Sequence, residues 1–512
     1  MDIFKRIKKT FSELFIKFKT FLSIGNKVNT TDTVVIVKPI VTTDSIVSVV
    51  TVKPTTTELK SKDINEPYDK ENIKNGEIGA YIIFDKSKGA VITDDFIKNL
   101  KELGVNIVYF NTPRNKSVPE TYLSYDEWFN IFEHFKSSGI KLMLYIYEAM
   151  DKKDADGNVI YKSWTEKQIK SISNHESFYG WIAEDEVGYT QFKLSKAWIT
   201  KFHSQKFKDG TRKWPNMSIC FFPKSPRLIN QGAIGGDYDR YLETYANSAD
   251  IFFADMYPTS SVWTSKEAYD ISGNGKTVYS DTEGGKNWCS YLQSQMMFAN
   301  NHPESVHRLY MHVCKHVTKD DNGKLFVARY KPTEITVKIQ SYANLMAGSN
   351  GLMLFVVVDV PGSEEYAGFT EAAFSADLKP NKYTYNLLKD FYNSAKFKNF
   401  KKIMVNLHPD KITYYNRENV FNEGKTNEFI EDFENGSEVF VSYAHNKNTK
   451  YCIILNTSLE NKTSVKIKSG NYLLDLEKET KRETEIEKLI IVPGEIIVIK
   501  KPASLFEKNP II

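Results

Sequence analysis

The stretch Phe178-Tyr179-Gly180-Trp181-Ile182-Ala183-Glu184-Asp185-Glu186-Val187 stays apolar and aromatic through Ala183 and then carries three carboxylates in succession. A buried strand that ends this way delivers charge to one end of the sheet it belongs to. In an extended chain successive side chains point to opposite faces, so Glu184 and Glu186 are expected to share one face while Asp185 takes the other. Two carboxylates on one face can hold different proton affinities, which general acid/base chemistry requires. A solvated strand end would also account for an isolated acidic triplet, so the position of this strand in the chain decides between the two.

Outward from it the chain alternates regularly. Apolar β-type runs at 78–84, 105–111, 140–147, 178–184, 217–222, 250–256, 308–314 and 351–358 read as strands. Helical periodicity falls between them at 93–103, 124–138 (closed by Gly139), 164–174, 190–207, 237–247, 287–300 and 333–347. Eight strands separated by helices predict an α/β fold, a (β/α)8 barrel. An open doubly wound sheet competes with it, but no glycine-rich phosphate turn follows the first strand. Residues 276–283 (KTVYSDTE) also read as a strand, which leaves the seventh strand the least secure. A helix at about 383–395 precedes a different rhythm over 400–501, with short alternating runs and turns such as Glu434-Asn435-Gly436-Ser437 and Asn446-Lys447-Asn448. That rhythm predicts an all-β sandwich.

The amino-terminal part belongs to neither pattern. Ile3, Phe4, Ile7, Phe11, Leu14, Phe15, Phe18, Phe21 and Leu22 recur at helical spacing with lysines between them, an amphipathic helix with an aromatic face. Lys17 and Lys19 interrupt the apolar core that a secretory signal needs. This helix is expected to dock on a protein assembly or an anionic membrane surface. Next comes a degenerate Thr/Val repeat, TTDTVVIVKP and TTDSIVSVVTVKP, which reads as an extended tether. The expected division is therefore 1–28 anchor helix, 29–72 tether, 73–397 barrel and 398–512 sandwich.

The formal net charge of +4 resides in that anchor: seven basic residues stand against two acidic ones in 1–28, and the remaining chain is within one charge of neutral. A near-neutral body argues against a nucleic-acid partner. Aromatic residues make up 13% of the chain, enough for a large core and for flat surfaces on which sugar rings stack. Cys220, Cys289, Cys314 and Cys452 show no CxxC spacing and read as small buried hydrophobes. No apolar run approaches the roughly 20 residues of a membrane span.

In a (β/α)8 barrel the reactive groups gather at the carboxyl ends of the strands. Those ends here hold Asp85, Asn111 with Arg114, Glu148, Glu184 to Glu186, Asp255 with Tyr257, His316 and Asp359. Tyr147, Trp181, Phe222, Tyr257, Trp263 and Trp288 lie near them, as sugar platforms or as packing residues. The DADGN run at 154–158 and the DDNG run at 320–323 lack the ligand pattern of an EF-hand and read as hairpin turns that wall a cleft. His312 and His316 on one strand would lie roughly 13 Å apart, too far to share an ion. Neither a metal nor a cofactor is expected.

FYGWIAEDEV resembles the "GW…DEP" strand of TIM-barrel glycoside hydrolases and hydrolase-like proteins, especially those of gut Bacteroidetes. ADIFFADMYP at 249–258 resembles their sixth strand, and RYKPTEITVKIQSYANLMAGSNGLMLF from Arg329 resembles their seventh helix and eighth strand. The resemblance spans about 78–500. It implies cleavage of polysaccharide O-glycosidic bonds, with Glu186 as general acid/base, Asp185 orienting it, and Asp255 and Tyr257 lining a sugar subsite. Trp181, Asn111, Glu148 and Asp359 are the further expected substrate contacts. Two departures stand out: Val187 replaces the usual Pro, and the seventh strand ends Cys314-Lys315-His316 with no carboxylate for a nucleophile. Glu283, Glu184, Glu148 and Asp359 are the candidates for that second acid. The alternative is a barrel without catalysis that binds glycan or serves as a structural module. With the anchor and tether, either suits a component of a phage tail or capsid, or a surface-anchored protein acting outside the cell.

Overall fold

The computed structural model describes residues 76–112, 119–187, 192–221, 237–255, 282–319, 325–361, 368–415, 427–433, 438–446 and 449–502. The anchor helix and tether expected over 1–72 lie outside them. Eight parallel strands close into a barrel in which each pairs with its sequence neighbours and the last returns to the first. They are β1 (Glu77–Ile83), β2 (Val105–Asn111), β3 (Lys141–Tyr145), β4 (Phe178–Val187), β5 (Ser218–Phe221), β6 (Ile251–Ala254), β7 (Val306–His312) and β8 (Gly351–Phe355). The helices are α1 (Asp94–Glu102), α2 (Tyr125–Phe135), α3 (Glu166–Ser173), α4 (Phe192–Ser204), α5 (Tyr238–Tyr245), α6 (Thr282–Asn301), α7 (Glu334–Met346), α8 (Lys382–Asn393) and α9 (Ala395–Met404). The seventh strand is thus Val306–His312, and Thr282 and Glu283 of the competing segment begin α6.

Local chemistry sets several helix starts. Ser124 with Glu127, and Thr165 with Gln168, form capping boxes, and Thr93 accepts a hydrogen bond from the Phe96 amide. The strands alternate between two apolar environments. Tyr81, Tyr109, Met143, Tyr145, Tyr179 and Tyr310 are among the residues filling the lumen, while the opposite faces pack against the helix ring. Gly180 is required for closure, because a Cβ there would lie 2.3 Å from the Asn216 carbonyl oxygen.

Nine further strands make the sandwich: β9 (His408–Tyr415), β10 (Ile430–Phe433), β11 (Val439–Asn446), β12 (Thr449–Asn456), β13 (Thr463–Ile467), β14 (Tyr472–Asp475), β15 (Thr480–Glu483), β16 (Glu487–Ile491) and β17 (Ile496–Pro502). A six-stranded sheet ordered β9-β11-β12-β17-β14-β15 faces a three-stranded sheet ordered β10-β13-β16 across an apolar core. The other face of the larger sheet joins the barrel's helix layer: Trp288 of α6 meets Phe440 at 5.1 Å, and Gln293 Nε2 donates to the Ile412 carbonyl. The architecture is a TIM barrel with a β-sandwich packed against its side. Both expected hairpins form: Lys152–Lys153 pairs with Val159–Tyr161, and Lys315–Lys319 pairs with Leu325–Arg329. All four cysteines are buried. No described helix is long and apolar enough to cross a membrane.

Candidate active site

The last turnings of β4 build the site, and they do so by breaking the strand's alternation. Its pairing with β5 runs Ile182 to Ser218, Glu184 to Ile219 and Val187 to Phe221, with a register shift on each side of Glu184. Glu186 adopts a φ of 54°, a left-handed conformation costly for a residue with a Cβ. Asp185 therefore turns into the lumen, where Tyr145 Oη donates to its Oδ2 at 2.9 Å and Tyr81 Oη at 3.4 Å. Glu186 is turned to the barrel mouth, where its carboxyl hydrogen-bonds with that of Asp255, just past the end of β6. Glu184 is left close to Tyr245 of α5, whose hydroxyl burial first and the Glu184 charge second push up. The expectation that Glu184 and Glu186 share a face is corrected: bulges disrupt the strict period of two on which it depends. With it goes Glu184 as a catalytic group.

Three carboxyls thus meet where β4 and β6 end. A carboxyl-to-carboxyl hydrogen bond requires a proton on one member. Asp255 is the member that keeps it. Burial first and the Glu186 charge second push the Asp255 carboxyl well above the ordinary carboxylate range. Glu186 is raised too, first by loss of hydration and then by repulsion from Asp185. Over the whole residue Glu186 is exposed, which weakens the hydration contribution; the repulsion among the three carboxyls does not depend on it. Arg329, on the hairpin after β7, pulls both carboxyls back down, with its guanidinium 5.3 Å from the Phe355 ring centre. Asp255 Oδ1 is buried and has no hydrogen-bond partner among the described residues.

Beneath the acids lies a phenol network. Asn111 Nδ2 donates to Tyr81 Oη at 2.8 Å and Asn111 Oδ1 accepts from Tyr147 Oη at 3.1 Å. Tyr109 Oη donates to Tyr145 Oη at 3.1 Å. Burial and then the Asp185 charge raise the Tyr81 and Tyr145 hydroxyls well up, so both remain proton donors to Asp185.

Several expected contacts are corrected by where the side chains lie. Trp181 has no exposed surface, gives its Nε1 to Ser173 of α3 and packs edge-on against Trp214 at 5.0 Å, so it belongs to the helix layer. Glu148 is buried in a 3-10 turn after β3, where Thr112 Oγ1 at 2.6 Å, Lys152 Nζ at 3.1 Å and Trp128 Nε1 at 3.3 Å occupy its oxygens. Asp359 accepts from the Ala372 amide at 2.8 Å and Asn381 Nδ2 at 3.0 Å, which fixes the segment after β8. Asp85 caps the turn after β1, and Trp288 is buried against the sandwich. His312 is buried beside Cys314, and His316 stacks on Phe369 at 4.4 Å. Tyr257, Phe222, Trp263, Arg114 and the side chain of Glu283 lie outside the described residues. Arg329 escaped the sequence reading because its approach depends on the hairpin folding back; the turn at 320–323 was the available signal.

This geometry supports proton transfer from the mouth of the barrel. It does not supply two independent carboxylates. Retaining glycosidases hold theirs about 5 to 5.5 Å apart and inverting ones about 6.5 to 9.5 Å, whereas Glu186 and Asp255 are hydrogen-bonded to each other. They act as one titrating unit.

No family model matches the sequence, and no curated protein matches it. Solved structures do resemble the fold. A GH42 β-galactosidase from G. stearothermophilus aligns at 9% identity with a TM-score of 0.47, covering 84% of this chain and 98% of its own. Eubacterium rectale Amy13B aligns at 11% identity with a TM-score of 0.46, covering 85% and 96%. A family 39 glycoside hydrolase from Bacteroides cellulosilyticus aligns at 8% identity with a TM-score of 0.38, covering 83% and 81%. Likeness at these identities and TM-scores carries no argument about what this chain does.

Proposed function

We propose that the chain is a glycoside hydrolase that cleaves O-glycosidic bonds of a polysaccharide, with the proton held by the Glu186–Asp255 pair passing from Glu186 to the leaving oxygen as the bond breaks. The observation that carries this reading is the Glu186–Asp255 pair: the carboxyl of an exposed residue at the barrel mouth, hydrogen-bonded to a buried one, with proton affinity raised in both. General acids need that raised proton affinity to work near neutral pH. Asp185, held by hydrogen bonds from Tyr81 and Tyr145, stands next to Glu186 in the chain at the base of the pair. Asn111 extends the polar floor on which a sugar hydroxyl can rest. The test is hydrolysis of a panel of bacterial and host polysaccharides by the full chain and by Glu186→Gln. Sugar release that falls by at least about 100-fold in the variant supports the reading; equal release by both overturns it.

One observation favours a second reading, a barrel that binds glycan without cleaving it. Among the described residues β7 ends without an acid, and the two carboxyls that do meet are too close for either hydrolytic geometry. Glycan binding by wild type and Glu186→Gln alike, with no sugar released, is its expected signature. We place either activity outside the cell, on a virion or a surface, from the sequence of residues 1–72; absence of the chain from purified virions together with failure to bind anionic vesicles removes that placement.

A further inference from the structure

The sandwich carries a side-chain cluster of its own. His408 and His445 face each other across the antiparallel β9–β11 pair, with ring centres 5.0 Å apart. Between Pro409 and Lys411 the register slips, so Asp410 is the extra residue of a bulge, and bulges re-aim side chains. Here the bulge brings the carboxylate between the two imidazoles. Asp410 Oδ1 lies 2.9 Å from His445 Nδ1 and 3.4 Å from His408 Nδ1. One ligand atom from each of the three residues falls within 4.8 Å of the other two, and among the described residues this is the cluster with that property.

We propose that His408, Asp410 and His445 bind one divalent transition metal ion of the Zn²⁺ class. Two imidazole nitrogens and a carboxylate suit borderline metals such as Zn²⁺, Co²⁺ or Ni²⁺ and are a poor set for Ca²⁺ or Mg²⁺, which take oxygen ligands. With metal–ligand bonds of about 2.0 to 2.2 Å, tetrahedral ligand atoms stand roughly 3.3 to 3.6 Å apart. The two Asp410 contacts are already near that spacing, and the two imidazoles close the remainder by side-chain rotation on an exposed surface. Metal binding takes the imidazoles in their neutral form, so binding weakens as pH falls. Asp410 and His445 also line a cavity of about 540 Å³ walled by Phe429, Tyr443 and Tyr451, so the ion would sit on the wall of that cavity with coordination positions left for an incoming donor.

The test uses the untagged full-length chain, stripped with EDTA, dialysed, and titrated with ZnCl2 by calorimetry and with CoCl2 by visible absorption. The expected result is one ion per chain at low micromolar affinity, weakened at least about 10-fold in each of His408→Ala, His445→Ala and Asp410→Asn. Thermal unfolding provides the second readout: Zn²⁺ raises the transition of the wild type and leaves the three variants unmoved. His302→Ala, which removes a histidine placed between Glu243 and Glu304 on the barrel, is expected to bind as the wild type does. All three side chains are substantially exposed, and Asp410→Asn keeps the shape of the bulge, so a folded variant is available for comparison. Absence of saturable binding below about 100 μM, or binding that the three variants leave intact, overturns the proposal and reduces the cluster to a surface ion pair.

Discussion

Strand β6 is bracketed by two aspartates with opposite fates. Asp250 stands just before its amino end, where Arg212 grips it at 3.1 and 2.8 Å, His203 Nε2 lies at 3.2 Å and the Met217 amide donates at 2.9 Å. Burial alone would raise this carboxyl, but its hydrogen bonds and the cationic partners hold it down at about 2. Asp255, just past the carboxyl end, is pushed well up by burial and by Glu186 and Asp185, which outweigh the opposing pull of Arg329. The same residue type on the same strand is a staple at one end of the barrel and a proton store at the other. That polarity is what the fold imposes: connections at the amino ends hold the barrel shut, and those at the carboxyl ends are open to chemistry.

The contrast is sharpened first by residues that belong wholly to the stabilising side. Trp181→Ala is expected to lose about 3 to 5 kcal/mol in urea unfolding, because the residue fills the helix layer and touches no sugar. Glycan affinity of the folded variant stays at the wild-type value; selective loss of affinity without loss of stability would return Trp181 to the site. Asp250→Asn is expected to cost about 1 to 3 kcal/mol, since Arg212 keeps its charge and loses its partner. Asp255→Asn is expected to go the other way, neutral or stabilising by up to about 1 kcal/mol at pH 7, because it removes a buried carboxyl that the folded chain must hold protonated where the unfolded chain has released the proton.

The pH dependence separates the two ends by sign. The folded-state affinity of Asp250 is depressed, so its stabilisation is present above its ordinary range near 3.8 and is lost as pH falls toward about 2. Asp255 and Glu186 are raised, so the folded chain holds their proton where the unfolded chain has released it. Their contribution is fully present below the ordinary carboxylate range and is lost as pH climbs through the raised values. Chemical unfolding of wild type and Asp255→Asn from pH 4 to 9 checks this: the gap between them in favour of the variant is expected to widen with pH. A constant gap would break the assignment. Tyr145→Phe is expected to cost about 1 to 2 kcal/mol of stability, since it removes the hydrogen bond to Asp185 and leaves the Tyr109 hydroxyl without its acceptor, read by the same unfolding assay.

The alternation of strands and helices was legible because burial writes its period into the chain, and the polar ends of the strands were legible for the same reason. Glu186 and Asp255 lie at those ends. What failed was parity near the strand end. The period of two assigns Glu184 and Glu186 to one face, but two register shifts and a left-handed Glu186 depend on tertiary packing that no local pattern encodes. Glu148 and Asp359 look free in sequence and are consumed by partners 36 and 22 residues away, respectively. The His408–Asp410–His445 cluster was missed because cross-strand register and a bulge create it.

The most direct measurement is infrared difference spectroscopy of the wild type against Asp255→Asn at pH 7, in the C=O stretching region of neutral carboxylic acids. Subtraction removes the other raised carboxyls, Glu77 among them. The account predicts a neutral-acid band in the wild type that is missing from Asp255→Asn and shifted in Glu186→Gln, where the hydrogen-bond acceptor changes. Superimposable spectra of wild type and Asp255→Asn would mean that no proton is held between Glu186 and Asp255, and the proposed acid would lose its basis.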